Sequence, residues 1–236
     1  MSQINRIDGG LIDQEKVLNF TFNGQILKGY EGDTLASALL ANNKHLIGRS
    51  FKYHRPRGIV TAGSEEPNAI MEIGNGAYKD PNTRATVTQL YNGLEANSQN
   101  HRGPLSFDFM AITDFLSPLL GAGFYYKTFM WPKAFWEKFY EPAIRKSAGL
   151  GTLATEADPD TYDKGFRHCD ILIIGAGATG LSAALTAAES GAKIILADED
   201  FLMGGRLNSE TNEIDGMAGS EWAKKTVAKL GAMENV

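Results

Sequence analysis

The strongest constraint on this chain lies between residues 169 and 206, where an apolar run, a glycine turn and an amphipathic stretch follow one another without a break. Cys169-Asp170-Ile171-Leu172-Ile173-Ile174 is almost continuously apolar, as expected of a strand buried on both faces of a parallel sheet. It leads directly into Gly175-Ala176-Gly177-Ala178-Thr179-Gly180, a GxGxxG. In such a turn Gly175 permits the sharp bend, Gly177 lets backbone approach a pyrophosphate, and Gly180 lets helix pack close to strand. Leu181, Ala184, Leu185 and Ala188 recur at helical spacing and predict an amphipathic helix. Its N-terminus offers N–H groups and a positive dipole end to phosphates. Gly191 ends that helix. Lys193-Ile194-Ile195-Leu196-Ala197 supplies a second strand, and Asp198 stands at its end, 23 residues beyond Gly175. An acid there can accept hydrogen bonds from both ribose hydroxyls and repels a 2′-phosphate, which argues against NADP.

A lone GxGxxG says little. Here the preceding strand, the following helix, the second strand and the terminal acid all accompany it, so residues 169–206 read as the opening of a Rossmann-type domain. Gly175, Gly177, Thr179, Gly180 and Asp198 are its candidate cofactor-binding residues. Gly204-Gly205-Arg206, six residues after Asp198, looks like the second phosphate-side turn of the two-dinucleotide flavoprotein superfamily, which binds FAD or NAD(P). Gly205 and Arg206 therefore join the candidates, with Arg206 either facing the cofactor or solvated on a loop. Glu199 and Asp200 either help to hold the adenosine ribose or form a solvated acidic turn. Residues 221–230 predict one more helix before Val236. A complete dinucleotide domain needs about as much sequence again, so the chain is expected to be part of a larger subunit or to be completed by another chain.

Composition excludes several classes. Against 28 Asp and Glu stand 23 Lys and Arg, a net charge of −5, which gives no electrostatic reason to expect nucleic acid or an anionic membrane as partner. The N-terminus lacks the apolar stretch of a secretory signal. No run approaches the roughly 18 apolar residues of a membrane span, and a cytoplasmic location is expected. One cysteine, Cys169, rules out an internal disulfide and any all-cysteine metal or iron–sulfur site.

The rest of the chain is mixed α/β and then unusually aromatic. Val17-Leu18-Asn19-Phe20-Thr21-Phe22 alternates as a strand, Asn23-Gly24 signals a tight turn, and Gln25-Ile26-Leu27-Lys28-Gly29-Tyr30 returns as its partner. Asp33 or Thr34 then caps a short helix from Leu35 to Ala41. A hairpin followed by a capped helix suits a β-grasp domain. Residues 107–140 hold 12 of the chain's 23 aromatics (3 Trp, 8 Tyr and 12 Phe). Pro118, Pro132 and Pro142 break this segment into short pieces, and Phe135, Trp136, Phe139 and Tyr140 share a face if residues 133–141 are helical. The segment is either core of this chain or an arm laid over another domain or subunit. Thr155-Glu156-Ala157-Asp158-Pro159-Asp160 reads as a linker. The division is thus residues 1–103, a connecting segment 104–166, and residues 167–236. The fold class is α/β with an α+β N-terminal part.

A resemblance sharpens this. Phe51-Lys52-Tyr53-His54-Arg55-Pro56-Arg57-Gly58, Glu65-Glu66-Pro67-Asn68-Ala69, Pro81-Asn82-Thr83-Arg84, Ser117-Pro118-Leu119-Leu120, the run from Gly123 through Tyr125-Tyr126 to Trp131-Pro132, and the fingerprint at 175–180 together resemble the alpha subunits of heterotetrameric sarcosine oxidase. The resemblance implies a ferredoxin-like N-terminal domain. Relatives of that domain with a 2Fe–2S cluster use C-x4-C-x2-C, and those positions fall here on Thr61, Glu66 and Ala69. No cluster is therefore expected, and NAD is the expected cofactor of this chain, with FAD and FMN elsewhere in the complex. The resemblance further implies oxidative demethylation of sarcosine to glycine, with hydrogen peroxide and 5,10-methylenetetrahydrofolate as products. Beta, gamma and delta subunits and a further C-terminal, folate-binding region of the alpha subunit are the implied partners, and the piece alone is expected to be inactive.

Two other readings stay open: the A subunit of an FAD-dependent opine or hydrogen-cyanide-synthase type dehydrogenase, and a non-catalytic module bridging subunits. The basic loop, with Arg49, Lys52, His54, Arg55 and Arg57 within nine positions, either grips a flavin phosphate or acidic partner surface, or is solvated. His45, His54, His101 and His168 are scattered and suggest no Ser/His/Asp or Cys/His constellation. No residue is expected to be catalytic or to bind a metal.

Overall fold

The computed structural model describes residues 3–7, 10–124, 129 and 131–236. The chain forms two compact units, one from Met1–Val60, Glu66–Ala85 and Leu90–Pro159, the other from Thr61–Glu65, Thr86–Gln89 and Asp160–Val236.

The N-terminal unit is built on the predicted hairpin. β1 (Asp13–Phe22) pairs antiparallel with β2 (Gln25–Glu31), and Phe22 faces Gln25 across the two-residue turn. Asn23 and Gly24 take φ of 49° and 76°, the left-handed pair that matches the twist of a hairpin. Alternation does the rest: Leu18 is half-buried and Phe20 and Phe22 are buried, while residues between them face outward. The helix α1 (Leu35–Ala41) starts at Thr34, whose hydroxyl accepts from the Ser37 N–H while the Ser37 hydroxyl accepts from the Thr34 N–H. Asp33, the other candidate cap, does something else. It is fully buried, receives both terminal nitrogens of Arg6 at 3.1 and 2.7 Å, and accepts from the Tyr30 N–H.

A two-residue ribbon, β3 (Gly48–Arg49) with β4 (Pro56–Arg57), precedes β5 (Ile70–Ile73), β6 (Asp80–Arg84) and β7 (Glu95–Ser98). The main sheet runs in the order β2-β1-β7-β5-β6. It is mixed: β7 lies parallel to β1 and antiparallel to β5. Leu35, Ala38 and Leu39 of the helix enter one core with Phe20, Phe22, Met71, Ile73 and Leu94. Each such large side chain contributes on the order of 1.5–3 kcal/mol when fully buried.

The aromatic segment is less regular than a helical reading of residues 133–141 predicts. Lys133–Phe135 forms a 3₁₀ turn and Trp136–Tyr140 a π-helical turn, and only Glu141–Ser147 is α-helical. Phe135 and Phe139 do meet, with ring centroids 5.1 Å apart. Tyr125, Tyr126, Lys127, Thr128 and Met130 lie outside the described residues. Phe115, Leu119 and Trp131 remain 86%, 75% and 82% exposed, so the segment is not simply core of this chain.

In the second unit β8 (Ile171–Ile174), a helix (Ala178–Glu189) and β9 (Ile194–Ala197) follow one another as predicted, and β8 lies parallel to β9 with Ile171 opposite Ile194. Leu181, Ala184 and Ala188 form the helix's buried face, packed with Ile194, Leu207 and Leu230. Gly191, at φ 86°, turns the chain out of the helix. The predicted final helix spans Gly219–Gly231. One expectation fails: β8 is not buried on both faces, since Leu172 and Ile174 are 56% and 80% exposed. Among the described residues only β9 pairs with it, which leaves one edge and much of its apolar surface uncovered.

Candidate dinucleotide site

The glycine turn places its three glycines in three different situations. A Cβ on Gly180 would lie 1.7 Å from the Gly175 carbonyl oxygen, so only glycine lets the helix start this close to the turn. Gly175, at φ 103°, makes the bend. Around Gly175 and Gly177 an added Cβ would meet nothing within 4 Å. The turn therefore opens onto free space at the N-terminus of a 12-residue helix that no side chain caps, the arrangement that receives phosphate oxygens. Thr179 is exposed in the first turn.

The second glycine pair comes to the same place. Gly204 N–H donates to the Ala176 carbonyl at 2.9 Å, and a Cβ on Gly205 would stand 3.2 Å from Gly177 Cα. Gly205 therefore lies against the glycine turn. The Arg206 side chain is 74% exposed and pairs at 2.5 Å with Glu210, four positions on.

Asp198 sits where β9 ends, but its carboxylate already has work inside the protein. One oxygen accepts from the Ala176 N–H within the glycine turn and the other from the Asp200 N–H at 2.8 Å. It ties the end of β9 to the turn after β8, and it retains lone pairs for further donors. Glu199 is exposed and Asp200 half-buried. Burial raises the Asp200 pKa, and Asp198 and Glu199 raise it further, against the opposing N–H groups of Leu202 and Phe201.

The basic loop turns inward. Arg49 donates to the carbonyls of Leu105, His54 and Ser106. Lys52 lies 5.0 Å from the ring centroids of both Tyr53 and Phe124, and Arg55 pairs with Asp114 at 2.7 Å. His54, at φ 53° and only 3% exposed, sets Nδ1 2.5 Å from Asp108 Oδ2. Burial acts to raise the Asp108 pKa, but the N–H groups of Arg102 and Met110 and the His54 ring outweigh it and hold the carboxyl below its ordinary range. The histidines are thus less scattered than the sequence suggests, since His101 Nε2 also meets Ser98 Oγ at 2.9 Å. No spacing signal links His54 to Asp108, 54 positions apart. With Oδ1 taken by the backbone, the pair is positioned as internal scaffolding.

At the three positions where a cluster-binding relative carries cysteines, Glu66 is buried and accepts from the Val60 and Asn68 N–H groups at 2.8 Å each, Ala69 is buried in the core, and Thr61 is half-buried. Among the described residues no group of three or more His, Cys, Asp or Glu could hold a metal ion.

Comparison with known proteins adds families to this geometry. Residues 15–101 match the 2Fe-2S iron-sulfur cluster binding domain, and residues 170–232 match the FAD dependent oxidoreductase family. The sarcosine oxidase subunit alpha of Rhizobium meliloti is 60% identical over 96% of this chain and 23% of its own length. That of Corynebacterium sp. (strain U-96) is 33% identical over 96% of this chain and 19% of its own. A crystal structure of L-proline dehydrogenase from P. horikoshii covers 92% of this chain and 32% of its own, at 17% identity and a TM-score of 0.48, too slight a likeness to support an argument.

These matches correct the expected cofactor set of NAD without an iron–sulfur cluster. The families matched are described by a 2Fe–2S cluster and by FAD, whereas the expectation rested on the cysteine count, on Thr61, Glu66 and Ala69 at the ligand positions, on the position of Asp198 and on the resemblance. The donor set and the family stand apart here: Cys169, outside residues 15–101, is the chain's only cysteine. The residues present do not fit thiolate ligation. No helix among the described residues is long and apolar enough to cross a membrane. With matches to a 2Fe–2S type domain and to a flavoenzyme family joined in one chain, this protein is similar over nearly its whole length to sarcosine oxidase alpha subunits, of which it spans about a fifth to a quarter.

Proposed function

We propose that this chain is the dinucleotide-holding part of a sarcosine oxidase alpha subunit. In this reading residues 1–103 are a ferredoxin-like domain, 104–166 a connecting segment and 167–236 the first part of a Rossmann-type domain. The observation that carries it is the open turn at Gly175 and Gly177, set on an uncapped helix N-terminus, in a chain 60% identical to such a subunit.

The residues bind and orient. Helix N–H groups from Ala178 to Gly180 hold the pyrophosphate, with Gly205 against the far side of the turn. Asp198, fixed by two backbone N–H groups, turns its remaining lone pairs to the ribose hydroxyls, with Glu199 and Asp200 beside it. Arg206 stays with Glu210. A bound flavin or nicotinamide dinucleotide supplies electron transfer, and no residue of this chain is assigned to the reacting atoms.

The reaction proposed for the whole enzyme is oxidative demethylation of sarcosine to glycine, with hydrogen peroxide and 5,10-methylenetetrahydrofolate as products. Its setting is a cytoplasmic heterotetramer with beta, gamma and delta subunits. The test is to identify the nucleotide released on denaturing the complete polypeptide. An adenine dinucleotide is expected, with visible absorbance if it is FAD. A preparation that releases none, and binds neither FAD nor NAD in titration, overturns the reading.

A further inference from the structure

Four of the five cations in the basic loop have partners inside the protein, and among the described residues the fifth does not. Arg49 is held by carbonyls, Lys52 by rings and the Gly121 carbonyl, His54 by Asp108, and Arg55 by Asp114. Arg57, half-buried, has no hydrogen-bond or ion-pair partner for its guanidinium among the described residues. Pairing of β3 with β4 sets Arg57 opposite Gly48 and next to the Arg49 pair, and both arginines line one cavity of about 200 Å³.

The rest of that lining mixes polar groups with the apolar Phe51, Pro67 and Ile70, and among the described residues it carries no negative charge. Asn68, Asn82, Gln99 and Asn100 contribute amides, and among the described residues no carboxylate borders the space. The Asn82 carbonyl oxygen is already engaged by Gln99 Nε2 at 2.9 Å and by the Gly151 N–H at 3.1 Å. That leaves the Asn82 amide nitrogen as a donor. Two guanidiniums and amide donors without a counter-charge are costly to bring together out of water, and Arg57's planar fork matches a phosphate or carboxylate. The volume is below the roughly 300–1,000 Å³ of sites for drug-sized ligands, so the occupant is small.

We propose that this cavity binds a small oxyanion, a phosphate group or a short carboxylate, with Arg57 as its principal cation. The test is arginine-specific modification of the complete polypeptide by phenylglyoxal, read residue by residue by peptide mass spectrometry, in chloride, inorganic phosphate or malonate at matched ionic strength. Phosphate at about four times its Kd slows modification of Arg57 about fivefold relative to chloride, as mass action requires. Arg145, 75% exposed and paired with Glu141, keeps its rate. Slowing by malonate but not phosphate assigns the site to carboxylates, and slowing by phosphate alone assigns it to phosphate groups. An Arg57 rate equal in all three salts overturns the proposal. Because the readout is at Arg57, it stands or falls separately from dinucleotide binding at Gly175–Gly180.

Discussion

In the N-terminal sheet Phe20, Met71 and Ala96 are 1%, 0% and 1% exposed, whereas in the parallel pair of the second unit Leu172 and Ile174 keep 56% and 80% of their surface in solvent. Both regions are rich in β-formers, so propensity does not separate them. Closure does. Among the described residues, five strands and one helix enclose a core in the first unit, while β8 has one strand neighbour and a single helix layer in the second. Two strands are too few for an independently stable sheet, and an apolar edge is a template for pairing. The first unit is self-sufficient in its core; the second calls for further surface.

The largest effect expected tests that contrast directly. Leu39→Ala, at a fully buried site, costs about 2–5 kcal/mol, from lost transfer energy and the cavity left behind. Leu172→Ala in the same chain costs under about 0.5 kcal/mol, as at ordinary surface sites. Chemical denaturation of both variants measures this. Equal costs would show that β8 is covered as thoroughly as the first sheet.

Next comes the acid that joins turn to strand. Asp198→Asn keeps one acceptor oxygen but loses the charge that strengthens bonds to Ala176, Asp200 and the ribose. Dinucleotide affinity of the complete polypeptide is expected to fall by about 1.5–3 kcal/mol, and the preference for an unphosphorylated ribose narrows. Titration with NAD and NADP, or with FAD, reads both. Unchanged affinity places Asp198 away from the ribose.

Much of this architecture is legible in sequence because it is local. The φ-positive Asn23-Gly24 turn, the Thr34 cap and the helical face of Leu181, Ala184 and Ala188 depend on residues within a few positions of one another. What fails to show is long-range. Asp108 reaches His54 across 54 positions, and Arg6 reaches Asp33 across 27. The apolar run of β8 predicts burial without saying whose surface provides it. Arg206 is a different case: Glu210 stands one turn beyond it, a pairing signal present in the sequence that competes with any role at the cofactor.

The buried pair in the first unit gives a smaller, pH-dependent effect. Asp108 has a folded pKa below its ordinary 3.8, so its contribution is fully present above that value and is lost as pH falls through the lower folded value. Asp108→Asn should therefore lower the melting temperature most near neutrality, and the gap to the unmodified protein should shrink below pH 3.8. Melting curves across that range check it. A gap constant with pH would mean that the carboxylate's charge contributes nothing to His54 and the loop N–H groups.

The smallest effect on folding is expected at Gly177, and it is the most diagnostic for the site. Its backbone is extended rather than left-handed, at φ −71°, so alanine fits the conformation without strain. A Cβ there meets nothing within 4 Å. Gly177→Ala should thus change stability by no more than about 0.5 kcal/mol. Yet the space that the methyl enters is where backbone and pyrophosphate must approach, so dinucleotide retention is expected to be lost. Gly180→Ala provides the contrast, because its Cβ would lie 1.7 Å from the Gly175 oxygen and must displace the helix from the turn; it should lose stability and binding together. Thermal melts and nucleotide release from the same preparations separate the two. If Gly177→Ala keeps its nucleotide, the open side of this turn is not the face the dinucleotide uses. If it melts as low as Gly180→Ala, the space is filled by protein in the complete subunit.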